Sequence, residues 1–321
     1  MSTTAPEQGI KVSVSLPSVS EDRRSRRPRL MLDDCRKQDP EFERLLSRVA
    51  TEYDVYWRAL EVRTLLHLPR VARADGSMSS GAVFAELRRN AERLRTDHWE
   101  IKDLVPEDEF LLSDLRFAAI DGRQADQIFS KLHYLRSARA GSMNFALVDP
   151  LNHLPVTLCS VSPLDWAKVG KRLQAQFAVP SGAAWDVSRV YSHSVAPKFA
   201  ISHLLSRVRQ VMAREVPEAQ VLTTAVDPNL GFLGTSYRAA NWQQWMSIEA
   251  RPYLYVDGAY ASPRQLRSHW GGANLTQLRG QYRKTVFEQS RAKLLDSLIF
   301  CCRLREVTEP VPADQRRRIR R

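Results

Sequence analysis

The sequence predicts an α/β domain built on one central sheet, and three observations carry that expectation. Strand-like and helix-like segments alternate from residue 116 to about residue 260, the pattern of a layered α/β fold. With 43% hydrophobic residues the 321-residue chain can bury a sizeable core, and its 26% of charged residues is ordinary for a soluble protein. No repeat recurs at a period of roughly 20–50 residues, which sets aside solenoids and propellers.

In chain order, residues 1–38 are rich in Ser, Pro, Glu and Arg, lack an apolar period, and predict a disordered basic tail. A helical N-terminal region is expected over 39–112. From Pro40 onward Phe42, Leu45, Val49, Tyr53, Tyr56 and Leu60 recur at helical spacing, which predicts a helical element that Pro69 ends. A second helix fits "SSGAVFAELRRNAERLRTDHW", capped by Ser79 or Ser80. Its other face carries Arg88, Arg89, Arg93 and Arg95, either a solvated face or one that follows phosphates.

The sheet domain is expected over 113–305. "RFAAI" reads as a strand and "GRQADQIFSKLHYL" as a helix, with "MNFALVD" and "LPVTLCSVS" as paired strands joined through "DPLNH". Residues 168–177 predict a helix, "AWDVSRVYSHSV" a strand, "ISHLLSRVRQVMARE" a helix, and "AQVLTTAV" and "RPYLYVDG" further strands. A final helical region is expected over roughly 274–304, followed by a basic tail over 306–321.

The net charge of +12 is concentrated at the ends, with +3 on residues 1–29 and +4 on residues 311–321. Such tails attract a polyanion without regard to its sequence, so nucleic acid is the natural partner; they also serve plain solubility. Cys35, Cys159, Cys301 and Cys302 form no CxxC pair and predict buried, reduced thiols. No apolar stretch approaches roughly 18 residues and the N-terminus has no apolar leader, so a cytoplasmic protein without a membrane partner is expected.

Two segments stand out chemically. In "APKFAISHLLSRV" a strand gives way to a helix whose open first-turn N–H groups, with Lys198 beside them, make an anion site suited to a pyrophosphate. In "VDPNLGFLGTSYRAANW" Gly231 and Gly234 let backbone approach a ligand or supply positive φ in a turn. His193 and His203 are ten residues apart, which is no recognised metal spacing.

These two segments and the upstream "KLHYLRS" together resemble the Mom family of phage DNA-modification proteins, variants of the GNAT acyltransferase fold. The resemblance covers roughly residues 116–270: a His-Tyr pair after the first helix of the sheet domain, a Pro-Lys-Asn-x-x-Ser-type loop, and a Gly-x-x-Tyr-x-Ala-x-Asn-Trp-like run. The last two also resemble DruA proteins of the Druantia antiphage system. Phe199 departs from the pattern, standing where the family loop has Asn.

The resemblance implies a GNAT-like central mixed sheet flanked by helices, with an N-terminal helical extension. It implies an acyl-CoA cofactor, acetyl-CoA first, held at Lys198, Phe199, Ala200, Ile201, Ser202 and Gly234, with backbone at Tyr191 and His193 near the thioester carbonyl. Tyr237 corresponds to the tyrosine that protonates the leaving thiolate, or else is a packed residue. His133, Tyr134 and Asp227 match positions tied to catalysis, and the His-Tyr pair admits a general base, an iron ligand or an ordinary helix end. Duplex DNA is the implied partner, with adenine the first candidate base, and a homodimer is allowed for. Arg88, Arg89, Arg238, Asn241 and Trp242 are the expected nucleic-acid contacts, Trp242 and Trp245 being either stacking platforms or core. The rivals are a CoA-dependent N-acetyltransferase of small molecules and a DruA-like DNA-binding defence component.

Overall fold

The alternation expected from residue 116 closes into one mixed sheet in a computed structural model of the chain, which describes residues 40–73, 76–305 and 318–319. The N-terminal tail, most of the C-terminal tail and Cys35 lie outside the described residues. Strands β1 (Arg116–Ala119), β2 (Met143–Val148), β3 (Pro155–Pro163) and β4 (Ala184–Ser192) pair in order, each antiparallel to the last. Strand β5 (Val221–Val226) then lies parallel to β4.

Beyond β5 the order turns back: β6 (Gln243–Ile248) is separated from β5 by β10 (Ser297–Arg303), which is antiparallel to both. Strand β11 (Arg318–Ile319) pairs parallel to β6 and completes eight strands. The strands β7 (Leu254–Val256), β8 (Ala259–Tyr260) and β9 (Phe287–Gln289) make a separate small sheet.

Helices cover both faces because successive strand residues point opposite ways. Helix α6 (Ala200–Glu215) packs Leu204, Leu205, Val208 and Met212 into the cluster that holds Phe145, Leu147, Phe300 and Cys302. Their neighbours point to the other face. There α4 (Gly122–Lys131) covers Ala146 and Val148, and α5 (Ala167–Phe177) covers Ile299 and Cys301. The Asp121 carboxylate starts α4 by accepting the Arg123 and Gln124 N–H groups.

The N-terminal region is a three-helix unit of α1 (Pro40–Tyr53), α2 (Trp57–Val71) and α3 (Ser80–Glu100), the last capped by Ser79. The element read from Pro40 is two helices, because Asp54 takes a left-handed φ of 51° and breaks the ladder; Pro69 sits inside the last turn of α2. The unit's apolar stripes enclose Leu230, Tyr253 and Tyr255 from the sheet domain, and Tyr255 donates to the Leu66 carbonyl at 2.8 Å. A buried ion cluster ties the two parts: Asp97 of α3 accepts from Arg63 of α2 at 2.6 Å and from both terminal nitrogens of Arg136.

The helical reading of 274–304 is overturned. Only a short helix (Leu275–Gln281) lies there, and "SLIFCCR" is a central strand. Ile299, Phe300, Cys301 and Cys302 are buried on both faces, so the run lacks the alternation that marks a half-exposed strand. Cys159, Cys301 and Cys302 are buried free thiols. Among the described residues no helix is long and apolar enough to cross a membrane.

Candidate active site

Strands β4 and β5 are paired only from Ala184–Val221 to Asp186–Thr223, and beyond that point they part. The parting has a local cause in the β3 register. Val187 faces Val161 and Arg189 faces Ser160, so Ser188 is an extra residue that bends β4. The Val187 carbonyl, lost to the ladder, accepts from Thr224 Oγ1 at 2.9 Å. The gap is a cavity of about 220 Å³ between Val187–Val190, Thr224–Asp227 and the 231–237 loop. It adjoins a chamber of about 750 Å³ between the sheet and the helical unit, and Tyr134, Ile201 and Phe232 belong to both walls.

Tyr237 stands in the gap on the short helix α7 (Thr235–Ala239), its Oη 3.4 Å from Thr224 Oγ1. Its ring meets Trp242 edge-on and stacks over Phe300. Burial pushes its hydroxyl above the usual tyrosine range, so it holds its proton at neutral pH. It is both packed and placed at the cavity.

His133 and Tyr134 follow α4 and stack at 4.3 Å. His133 Nδ1 accepts the Leu135 N–H at 3.2 Å, so the proton sits on the other nitrogen, which faces the Val190 carbonyl. Burial, then Arg189 and Arg63, holds this imidazole neutral. With both nitrogens engaged, His133 fits neither a general base nor an iron ligand; it fixes the loop. Among the described residues no group of three or more His, Cys, Asp or Glu could hold a metal ion. Tyr134 lines both cavities, and burial together with the Asp227 charge raises its hydroxyl. Asp227 follows β5 and accepts from the Asn229 backbone at 2.9 Å, the Asn229 side chain at 2.8 Å and Tyr253 Oη at 2.5 Å.

Helix α6 starts beside the gap. Ala200 N–H bonds the Pro197 carbonyl, which leaves Ile201 and Ser202 as the open donors of the first turn. Ser202 Oγ donates to the Phe199 carbonyl at 2.9 Å. Lys198 is exposed, its Nζ 5.0 Å from the Phe199 ring centroid. Phe199 takes a left-handed φ of 70° and exposes 61% of its surface. Asn adopts that backbone far more readily than Phe, which is the physical content of the family's preference there. Tyr191 and His193 line the larger chamber. Burial, then His98, lowers the His193 imidazole to about 4.

Other expected contacts lie elsewhere. Gly234 borders the gap, but the space beside it is filled from within: a Cβ there would collide with the Phe300 ring, and its φ is 73°. Trp242 is 2% exposed and Trp245 7%, so both belong to the core and neither is a platform for a base. Asn241 takes a φ of 61° in the turn before β6, and Arg238 donates to the Leu233 carbonyl; both are exposed and neither lines the two cavities. Arg88 and Arg89 sit on α3 away from the chamber wall, which Arg95 and His98 supply instead.

Arg189 is a site residue that sequence reasoning passed over. It borders the gap and donates to the carbonyls of Ser137 at 2.8 Å and Ser188 at 2.6 Å, holding the bulge to the loop after Tyr134. The signal was present: Asp186 and Arg189 are ionisable residues in a strand otherwise bound for the sheet interior.

A family model described as the Mom protein family matches residues 114–296, more than half of the chain. No curated protein sequence matches. Among solved structures, a putative phosphinothricin N-acetyltransferase aligns at 12% identity and TM-score 0.31, over 60% of this chain and 99% of that one. Arabidopsis thaliana NAA60 in complex with acetyl-CoA aligns at 10% identity and TM-score 0.34, over 59% and 98%.

Proposed function

From the premise that the chain belongs to the Mom protein family, we propose that it is an acyltransferase-type enzyme that modifies a nucleobase of DNA, adenine first. Acyl-CoA, with acetyl-CoA the first candidate, would supply the activated acyl group as a thioester. The single observation that carries the reading is the parted β4–β5 pair with a protonated tyrosine standing in the opening.

The residues present fit such a donor. The open N–H groups of Ile201 and Ser202 and the Lys198 ammonium form a cationic helix start for a pyrophosphate. Beyond Asp186 β4 no longer pairs with β5, and backbone N–H groups on that edge would be the donors for a thioester carbonyl oxygen. Tyr237 holds a proton at its Oη, where it can be given to a leaving sulfur. The chamber beyond, between sheet and helices, is the space left for the acceptor. His133 positions Tyr134 and the loop and takes no proton-transfer step.

A direct test incubates the purified protein with acetyl-CoA and, separately, DNA or a polyamine, and follows release of free thiol. Thiol release that depends on DNA supports the reading. Release with the polyamine alone makes the protein a small-molecule N-acetyltransferase.

A further inference from the structure

The helical unit lies in front of the family match, which begins at residue 114, yet it walls the larger chamber. Its contribution comes from two places. The turn between α1 and α2 and the start of α2 present Asp54, Tyr56 and Arg58, with Tyr56 41% exposed. Helix α3 presents Arg95 and His98. Opposite stand Tyr191 of β4 and His193 just after it. The His98 and His193 rings stack 24° from parallel, with centroids 5.6 Å apart. At about 750 Å³ the chamber falls within the ~300–1,000 Å³ of ligand sites, and its walls combine aromatic rings with Asp54 and the guanidinium groups of Arg58, Arg63 and Arg95.

A track of guanidinium groups leads away from this chamber over the α1–α3 surface. Arg95 lies over the Tyr53 ring at 5.6 Å and Arg88 over the same ring at 5.9 Å. Arg88 also lies over Phe84 at 5.9 Å, and Arg48 lies over Phe84 at 5.8 Å. A guanidinium laid on a ring is oriented by it and keeps N–H edges for an anion. Carboxylates on this face are Glu52, 4.0 Å from Arg88, and Glu92, which accepts from Tyr53 Oη; Arg58 at the chamber is paired with Glu61.

We propose that the helical unit is the acceptor-binding half of the cleft: it receives one unstacked nucleotide of a single DNA strand, the base in the chamber beside Tyr56 and the flanking phosphates along Arg95, Arg88 and Arg48. The inference rests on the nucleobase reading above. Rings that stack a base and arginines that follow its backbone are the two parts of a single-strand site. A base inside a duplex reaches such a chamber only by leaving the stack.

The test uses the full chain, a short fluorescein-labelled single-stranded oligodeoxynucleotide of mixed sequence, and anisotropy across a salt series, with acetyl-CoA binding followed by calorimetry. Arg88→Ala/Arg95→Ala weakens oligonucleotide binding about tenfold and lowers the salt slope by roughly 1.4, at ~0.7 per phosphate contact. Tyr56→Ala weakens binding with the slope unchanged, and Arg95→Lys keeps most of the slope. Acetyl-CoA affinity stays the same in all three. An unchanged affinity and slope in the folded double variant overturns the proposal, as does an equal loss of acetyl-CoA affinity, which would assign the track to the donor's own nucleotide. Wild-type protein that binds acetyl-CoA and duplex DNA but no single-stranded oligonucleotide at low salt overturns this inference alone; protein that binds acetyl-CoA but neither form of DNA removes the nucleobase reading as well.

Discussion

His98 on α3 and His193 at the end of β4 bring their Nε2 atoms to 3.4 Å, so the helical unit and the sheet meet across the chamber through two imidazoles. The contact needs at least one neutral ring, because two imidazolium groups have only donors to offer. Burial holds His193 and His67 each at about 4, below the ordinary 6.5, so both are neutral at pH 7. A depressed folded value contributes stability that is complete above 6.5 and is lost as the pH falls through 4. At about 1.4 kcal/mol per unit, each histidine accounts for up to roughly 3 kcal/mol. The urea midpoint should fall steeply between pH 6.5 and 4, and His67→Gln/His193→Asn should flatten that fall. An unaltered profile in the double variant contradicts the assignment.

Gly234 should tolerate no side chain. Its φ of 73° strains any other residue, and the Phe300 ring occupies the Cβ position. Gly234→Ala is expected to cost about 2–4 kcal/mol in urea unfolding, the size of an overpacked core with backbone strain added. A loss below roughly 0.5 kcal/mol, the scatter of neutral surface changes, would mean the loop simply moves away.

Phe199 presents the opposite case, a strained residue that can be relieved. Phe199→Asn places in the left-handed region the side chain best suited to it, at a helix start where no side chain now caps. Thermal unfolding should show a gain of about 1 kcal/mol. A loss would show that the exposed phenyl ring makes contacts that outweigh its backbone cost.

Asp97→Asn removes the one carboxylate between the buried Arg63 and the partly buried Arg136. An uncompensated buried guanidinium costs about 3–5 kcal/mol. Because the cluster joins the helical unit to the sheet domain, limited proteolysis in the region 101–115 should accelerate in the variant. Equal digestion rates would show that the apolar contact around Tyr255 holds the two parts without it.

Much of this architecture was legible in the sequence because β1 to β5 are interspersed with amphipathic helices, the first of them capped by Asp121. The His-Tyr pair and the strand-to-helix loop at Pro197 were legible as motifs, although their geometry was not. What stayed hidden has physical reasons. β10 is buried on both faces and its "SLIFCCR" carries no period, so it reads as easily as a helix. Trp242 and Trp245 precede and occupy β6, where long-range pairing with β10 rather than local pattern decides burial. His133 looked like a candidate base because sequence shows an imidazole and not the Leu135 N–H that occupies its lone pair. The chamber depends on the meeting of Tyr56, Arg95 and His98 with Tyr191 and His193, residues up to 137 positions apart between Tyr56 and His193, and spacing carries no trace of it.

The most direct test of the central claim is mass spectrometry of nucleosides from the DNA of cells that produce the protein, beside cells that produce Tyr237→Phe. That variant loses only the hydroxyl facing Thr224 and keeps the ring packing against Trp242 and Phe300. The account predicts a new adenine-derived nucleoside with the intact protein, reduced by about 10²–10⁴-fold in the rate of its formation when the proton donor is gone. Unchanged nucleosides in cells where the protein is folded and abundant would contradict it.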